Sequence, residues 1–218
     1  MDFSLTKQQQ LFLQMIREFA EKEVKPLAAE IDEQERFPME TVEKMAKIGI
    51  MGIPVPTQYG GAGGSNLMYS IAVEELSAAC ATTGVVVSAH TSLCVAPILE
   101  HGTEEQKQKY LPKLATGEWI GAFGLTEPNA GTDASAQQTT AVLDGDNYII
   151  NGSKIFITNA EYAHVYIVFA MTDKSQGVKG ITAFIMEKGT PGFTFGKKEK
   201  KLGIRGSATS ELIFENCV

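Results

Sequence analysis

The segment Trp119–Ala136, WIGAFGLTEPNAGTDASA, combines residue types that could bind a ligand. An apolar extended stretch runs into Thr126, and a polar loop containing Gly131 and Thr132 follows it. Glycine allows a ligand to approach the backbone closely, while hydroxyl groups and backbone amides can bind the edge of a heteroaromatic ring or a phosphate. An ordinary exposed loop between two strands is the alternative, because turn-forming residues are common in such loops.

Two further segments carry residues of chemical interest. Phe156, Ile157 and Thr158 follow the sequence NGSK and place an aromatic ring and a hydroxyl at the end of a predicted strand. Positive charge is concentrated near the end of this acidic chain, on Lys197, Lys198, Lys200, Lys201 and Arg205. From the residues alone, an ordinary strand end and a solvated sheet edge are the simpler interpretations.

The sequence predicts neither a metal site nor a nucleophilic triad. His90, His101 and His164 are widely separated and have no carboxylate or serine partner at a recognisable spacing. Metal-ligand spacing and a CxxC pair are also absent among the three cysteines, which are Cys80, Cys94 and Cys217. We therefore expect no metal, and we expect free or buried thiols in a reducing compartment.

Composition and charge limit the class of protein. The 218 residues are 44% hydrophobic and 21% charged, which predicts a folded chain of one large or two small domains. No apolar run approaches the roughly 20 residues of a membrane-spanning helix, so we expect no membrane partner. The net charge of −7 argues against nucleic acid as a partner. The polar start, MDFSLTKQQQ, lacks signal-peptide features, so we expect a cytoplasmic protein or a processed form.

The first half of the chain has helical periodicity. Thr6 and Gln9 predict a capping box at the start of the first helix, and Pro26 predicts a kink or break in it. Residues typical of helix N-termini predict further helix starts at Pro38, Ser65, and Thr103 with Gln106. Another helix is predicted over roughly Thr83 to His101. We expect an all-α helical domain over residues 1–117.

After Gly117 the periodicity changes to short segments rich in Val, Ile, Phe, Tyr and Thr, which predict strands. Gly145 between two aspartates predicts a hairpin, and Asn151-Gly152 is the strongest short turn signal. We therefore expect an antiparallel β-barrel or sandwich-like domain over residues 118–218, and an α+β fold class for the chain. Strands and helices do not alternate, so a Rossmann fold is not expected.

Taken in order, several segments resemble the acyl-CoA dehydrogenase family of flavoenzymes over essentially the whole chain. In the helical half these are FAEKEVKPLAAEIDEQERFP, GIPVPTQYGGAG and EELSAACATTGVVVSAHTSL; in the β half they are FGLTEPNAGTD, KIFITNAEYAHVYIVFA and KLGIRGSATSELIFENC. TEPNAGTD is specific, and an ITN motif at the family's distance after it is stronger than either motif alone. The short-chain branch, similar to butyryl-CoA dehydrogenase, is the nearest match.

The resemblance implies FAD as the cofactor. It assigns Leu125 and Thr126 to the pyrimidine edge of the flavin and packs Phe156, Ile157 and Thr158 against one flavin face, with the Thr158 hydroxyl near N5. The family often has Trp in place of Phe156, which keeps the stacking surface but lacks the indole N–H. The remaining expected cofactor contacts are Phe123, Gly131 and Thr132.

The resemblance also implies a short-chain acyl-CoA substrate. By family position, Thr132 approaches the pantetheine arm, and Leu93 and Pro97 are candidate walls of the acyl pocket, together with Cys94 and Ile98. Ordinary core packing is the alternative for these four residues of the helical half.

In this family a glutamate removes the α-proton of the acyl thioester while the β-hydride passes to the flavin, giving a trans-2-enoyl-CoA. The electrons leave through an electron-transfer flavoprotein. The resemblance places the glutamate beyond Val218, in a C-terminal four-helix domain absent from this sequence, and Glu127 is expected to be structural. We therefore expect a fragment that is inert alone and belongs to a homotetrameric full-length protein.

Two other functions stay open from the sequence. A flavin-dependent oxidase or monooxygenase on the same scaffold would pass its electrons to oxygen, and the motif pair does not distinguish it from a dehydrogenase. A non-catalytic binding or assembly module would keep the fold without the chemistry.

Overall fold

The computed structural model describes residues 4–218, which divide into two compact units. The helical unit extends to Trp119 and also includes Lys201–Ser207, while the β unit comprises Ile120–Lys200 and Ala208–Val218. The expected α+β class, with helices first and strands second, is confirmed. The sequence-based limits 1–117 and 118–218 stay a prediction, and they differ from these units in the placement of Lys201–Ser207.

Seven α-helices form the described part of the helical unit. They are α1 Lys7–Phe19, α2 Ala28–Glu33, α3 Met39–Lys47, α4 Asn66–Ala79, α5 Ala81–Ser88, α6 Ala96–His101 and α7 Glu104–Ala115. Short 3-10 turns occur at Lys25–Leu27, Ile50–Gly52 and Thr57–Tyr59.

Side-chain caps begin three of these helices as predicted. At α1, the Thr6 hydroxyl accepts a hydrogen bond from the Gln9 N–H, and the Gln9 side chain accepts one from the Thr6 N–H at 2.9 Å. Thr103 and Gln106 form the same reciprocal box at α7, and the Ser65 hydroxyl caps α4. Because each cap satisfies donors of the first turn with residues three positions apart, local sequence is enough to specify it.

Two π-helical segments, Ala20–Val24 and Ala89–Val95, interrupt the helices, and each ends two residues before a proline. Pro26 and Pro97 have no N–H to donate, and a proline ring clashes with the carbonyl four residues earlier. A proline therefore disturbs the regular hydrogen bonding of an α-helix, and at these two positions a wider π turn precedes it. The predicted interruption at Pro26 is thereby confirmed.

The helical stretch Ala81–His101 is long and apolar enough to cross a membrane, contrary to the expectation from sequence. It has 21 residues and a mean hydropathy of 1.5 over its most apolar window, of which 61% is buried inside the protein. A core helix of a globular protein meets the same criteria, because its apolar side chains face neighbouring helices rather than lipid.

A seven-stranded sheet forms the β unit. Its strands are β1 Gly121–Gly124, β2 Thr140–Asp144, β3 Asn147–Thr158, β4 Val165–Met171, β5 Ile181–Glu187, β6 Phe193–Lys198 and β7 Thr209–Cys217. The order is β1-β4-β2-β3-β7-β6, with β5 also paired to β4. The sheet is mixed rather than wholly antiparallel, because β4 runs parallel to β1 and, at one position, to β2.

One of the two predicted turns is confirmed and the other is wrong. Gly145, at φ 60°, turns the chain between β2 and β3. Asn151 and Gly152 lie inside β3 instead, at an irregularity in its pairing with β7. The backbone there passes so close to Thr139 that a Cβ on Gly152 would lie 2.5 Å from the Thr139 Oγ1. The glycine therefore serves a close approach between segments rather than a hairpin.

Tyr166 lies at the centre of the apolar core of the β unit. Its ring meets that of Phe193 edge to face, with centroids 4.8 Å apart, and its side chain is fully buried. The hydroxyl donates to the carbonyl oxygens of Ala160 and Ala163, at 2.6 and 2.8 Å. Burial raises the pKa of Tyr166, so the phenol stays protonated and keeps its donor.

Candidate ligand-binding site

The two motifs singled out in the sequence lie side by side in the β unit. The Ile155 N–H donates to the Thr126 carbonyl at 2.8 Å, and the Asn159 side-chain amide donates to the Gly121 carbonyl at 3.2 Å. Position 126 therefore meets 155 and position 121 meets 159, so the two segments run antiparallel to each other over about five residues. A ligand bound beside this contact would meet residues of both motifs.

A β-bulge displays Phe156 on this face. Lys154 and Ile157 pair with Leu212 and Ser210, so two residues of β3 stand opposite one residue of β7. Phe156 occupies the bulge with φ 63°, a conformation that is uncommon for a bulky residue. Phe156 is 59% exposed, so much of this apolar residue has no protein cover in the described chain.

The other residues predicted to contact the cofactor differ in how much of their surface is exposed to a ligand. Ile157 is 2% exposed and belongs to the core, so only its backbone can face a ligand. Phe123 is partly buried, and its ring packs against that of Phe169 with centroids 5.3 Å apart. Thr158 is also partly buried. The roles predicted for these residues from the family stay predictions.

Neutral hydrogen-bond donors accompany the exposed ring. The hydroxyls of Thr126 and Thr158 and the backbone N–H of Thr126 make no hydrogen bond within residues 4–218. Both threonines are partly buried. Partly buried polar groups need partners, and these uncharged ones suit the oxygen or nitrogen atoms at the edge of a neutral heteroaromatic ring.

The loop after β1 is shaped by its own hydrogen bonds. Glu127 and Ala130 exchange two backbone hydrogen bonds, at 3.0 and 3.1 Å, and so close a tight turn. Gly131 and Thr132 follow and are both exposed, and a Cβ on Gly131 would meet nothing within 4 Å. Asp133 then accepts hydrogen bonds from the backbone and hydroxyl of Ser135, which ends the loop. The loop is thus built to expose residues 131 and 132.

A buried polar network, which the sequence analysis missed, supports this site. The Lys154 Nζ donates to the Glu127 Oε1 at 2.7 Å, the Gln137 Oε1 at 3.0 Å and the Leu125 carbonyl at 3.1 Å. Glu127 also accepts hydrogen bonds from the backbone N–H groups of residues 138 and 139. The sequence held one signal for the burial of Lys154. Alternate residues of a strand share a face, so Lys154 points to the same side as the apolar Ile150.

The network keeps Glu127 ionised. Burial alone would raise the pKa of the Glu127 carboxyl, but hydrogen bonds from the Gln138 backbone, Lys154 and Thr139 lower it below its ordinary value. Burial lowers the pKa of Lys154, and the adjacent Glu127 opposes that shift. A carboxylate held this way is a weak proton acceptor, so the structure agrees with a structural rather than a basic role for Glu127.

The remaining predicted residues lie in other parts of the fold. Leu93 is 40% exposed and Pro97 is partly buried, both in the helical unit. Cys94 and Ile98 are 0% and 1% exposed, as core residues are. The basic run is divided between the units, with exposed Lys197, Lys198 and Lys200 in the β unit and Lys201 and Arg205 in the helical unit.

Two family models together match most of the chain, and a curated relative aligns with all of it. The model described as "Acyl-CoA dehydrogenase, N-terminal domain" matches residues 6–118, and the one described as "Acyl-CoA dehydrogenase, middle domain" matches residues 122–217. The chain is 67% identical over 218 residues to "Acyl-CoA dehydrogenase, short-chain specific" from Clostridium acetobutylicum. That alignment covers 100% of this chain and 58% of the relative, so the chain spans little more than half of the relative's length.

Solved structures share the fold closely. A chain described under "Electron transferring flavoprotein of Acidaminococcus fermentans" is 59% identical with a TM-score of 0.97, covering 100% of this chain and 57% of that one. Butyryl-CoA dehydrogenase from Megasphaera elsdenii is 52% identical with a TM-score of 0.96, covering 100% and 58%. Glutaryl-CoA dehydrogenase from Mycobacterium smegmatis in complex with FADH2 is 36% identical with a TM-score of 0.91, covering 98% and 54%.

Proposed function

Because this chain belongs to the acyl-CoA dehydrogenase family, we propose that its full-length protein is an FAD-dependent short-chain acyl-CoA dehydrogenase. The reaction converts a short-chain acyl-CoA to the trans-2-enoyl-CoA and passes two electrons to an electron-transfer flavoprotein. The antiparallel contact between residues 121–126 and 155–159 carries the proposal, because it unites an exposed aromatic ring with uncharged donors on one face.

The residues on this face fit a flavin. The isoalloxazine ring is flat and neutral, with acceptor atoms along its pyrimidine edge, and when bound it supplies the acceptor for the two electrons. The Thr126 N–H and hydroxyl can donate to that edge, and the Thr158 hydroxyl can donate to a ring nitrogen. Phe156, which is 59% exposed, offers its ring for stacking, and Ile157 can contribute only its backbone.

The family's reaction needs a base for the substrate α-proton, and we assign none within this chain. Glu127 directly follows Thr126 in sequence, but it is 5% exposed and accepts several hydrogen bonds. We therefore expect the 218-residue chain alone to be inert with butyryl-CoA.

Substrate contacts are proposed at three positions that are exposed or partly buried. Thr132, on the exposed loop, is proposed to contact the pantetheine arm, and Leu93 and Pro97 are proposed as acyl-pocket walls. The similarity to a butyryl-CoA dehydrogenase and to a short-chain specific enzyme supports a short acyl chain. A homotetramer and a cytoplasmic location stay predictions.

The function is tested on the full-length protein. We expect a yellow protein whose oxidised flavin absorbance disappears when butyryl-CoA is added without oxygen, with crotonyl-CoA as the product. Electron-transfer flavoprotein should then restore the oxidised spectrum faster than air does. Flavin that no acyl-CoA reduces would overturn the proposal in favour of a binding module, and rapid reoxidation by air alone would favour an oxidase.

A further inference from the structure

Lys154 and Glu127 form an ion pair inside the β unit, with side chains 0% and 4% exposed. The ammonium group has three protons and three acceptors, two of them the side chains of Glu127 and Gln137. Its third acceptor is the backbone carbonyl of Leu125, inside the candidate site. Burial of two charges costs about as much as their attraction returns, so a stabilising role is a weak account of the pair. The hydrogen bond to the backbone points to a second role.

The Leu125 carbonyl and the Thr126 N–H belong to one peptide unit. This unit is trans and planar, so its carbonyl and its N–H point in opposite directions. When the ammonium group of Lys154 holds the carbonyl toward the interior, the Thr126 N–H is aimed away from it. That N–H makes no hydrogen bond within residues 4–218, which leaves it available to a ligand.

The strand that carries Lys154 also carries the other half of the site. The neighbouring Ile155 N–H holds the Thr126 carbonyl at 2.8 Å, and Phe156 follows in the bulge. Lys154 and Ile155 therefore hold residues 125 and 126 by hydrogen bonds to their carbonyls, and the next residue of β3, Phe156, exposes its aromatic ring. A small change at Lys154 would alter the direction of the Thr126 N–H relative to that ring.

We propose that Lys154 is a positioning residue, whose ammonium group holds the Leu125 carbonyl and thereby aims the Thr126 N–H at the edge of the flavin. The inference rests on the proposed function, because it concerns the same cofactor site. Glu127 balances the charge of Lys154, and Gln137 fixes the direction of its ammonium group. Lys154 itself, with a fully buried side chain, does not touch the cofactor.

The test separates support of the fold from positioning by comparing three variants of the full-length protein. Lys154→Met alone leaves Glu127 buried without its charged partner. The double variant Lys154→Met with Glu127→Gln removes both charges but still lacks the donor to Leu125. Lys188→Met is the matched control, since Lys188 also donates to a backbone carbonyl in the β unit but is exposed and lies outside the site.

Three quantities are measured: the thermal unfolding midpoint of the apoprotein, the dissociation constant of FAD and the absorption spectrum of bound flavin. We expect Lys154→Met to lower the unfolding midpoint most, because it leaves the buried Glu127 carboxylate without its charged partner. The double variant should lower it less, because only neutral acceptors such as the Leu125 carbonyl then lack their donor. Its FAD dissociation constant should rise by roughly tenfold, the effect of one misdirected hydrogen bond, with a shifted flavin spectrum. Lys188→Met should match the wild type in all three.

A double variant with wild-type FAD affinity and an unchanged flavin spectrum would overturn the positioning role, whatever its unfolding midpoint. The proposed function would survive that result, because wild-type protein that binds FAD and is reduced by butyryl-CoA supports it independently. Wild-type protein that binds no FAD would instead contradict the proposed function itself.

Hydrogen exchange of the wild-type protein provides a test that needs no variant to fold. We expect the Thr126 amide to exchange readily in the apoprotein and to become protected when FAD is added. A Thr126 amide that is already protected without FAD, or whose exchange FAD does not change, would contradict the proposal.

Discussion

Asp32 and Arg205 lie 173 positions apart and are joined by two hydrogen bonds in the helical unit. The Arg205 backbone N–H donates to the Asp32 Oδ1, and its Nε donates to the Oδ2, both at 2.9 Å. These two bonds hold the pKa of the Asp32 carboxyl below its ordinary value, and the bond from the Arg205 backbone has the larger effect. They attach the segment Lys201–Ser207, which follows β6 in sequence, to the end of α2.

Replacement of Gly206 by alanine should loosen this attachment. An added Cβ would lie 2.4 Å from the Ile31 Cγ2 and 2.7 Å from the Arg36 carbonyl oxygen. Since neither neighbour can move freely, we expect Gly206→Ala to reduce the free energy of unfolding by about 1–3 kcal/mol, as overpacking does. Gly203→Ala is the control, because a Cβ there meets nothing within 4 Å. Urea unfolding of both variants checks the prediction, and equal midpoints would contradict it.

His90 should make the helical unit less stable in mild acid. Burial lowers the pKa of His90 to about 4, against hydrogen bonds to the backbone of Leu114 and Met51. Between pH 6.5 and about 4 the unfolded chain therefore binds a proton that the folded chain does not. The stability that the neutral ring contributes is complete above pH 6.5 and is lost as the pH falls toward 4. The loss approaches about 3 kcal/mol.

The His90 prediction is checked by unfolding the wild type and two variants across that pH range. His90→Gln removes the buried titrating group and should flatten the slope between pH 6.5 and 4. His101→Gln removes an exposed histidine and should leave the slope as it is. An unchanged slope in His90→Gln would show that other groups cause the acid sensitivity.

Phe156→Gly should improve stability while it weakens cofactor binding. Phe156 has φ 63°, which glycine adopts without the steric cost of a side chain, and its exposed ring contributes little to the core. We expect the variant to keep or gain about 1 kcal/mol of stability and to bind FAD less tightly. Glu35→Gly, at another exposed residue with φ 52°, should affect stability alone. Unchanged FAD affinity in Phe156→Gly would show that the Phe156 ring does not contact the cofactor.

Tyr166→Phe should destabilise the β unit without a change in shape. The variant loses a hydroxyl that donates to the carbonyls of Ala160 and Ala163, and it leaves both acceptors inside a dry core. We expect a loss of about 1–3 kcal/mol in the free energy of unfolding. Tyr148→Phe, at an exposed ring, should change the unfolding midpoint much less. Equal urea midpoints for the two variants would count against this account.

Local signals in the sequence predicted the parts of the fold that local bonds build. The capping boxes at Thr6 and Thr103 and the hairpin at Gly145 each need residues only a few positions apart. The change from helical to strand periodicity also separated the two kinds of structure correctly. The Asn151-Gly152 signal failed because the glycine meets Thr139, a residue from another strand region, and no local pattern contains that contact.

The candidate site was predicted only in part. Its two motifs were identified by resemblance, but their contact, from Thr126 to Ile155 and from Gly121 to Asn159, depends on how β1 and β3 come together. From its residue type, a lysine in a strand is predicted to be exposed to solvent, whereas Lys154 is fully buried.

The fold class, the order of helices and strands, and the segments of glycine, threonine and phenylalanine that could bind a cofactor were all predictable from the sequence. These follow from periodicity and from interactions between near neighbours in the chain. Three features were visible only in the folded chain: the parallel pairing of β4, the placement of Lys201–Ser207 and the buried network of Lys154 with Glu127. Each of these joins distant segments, and burial, which sets the energy of such contacts, exists only once the chain has folded.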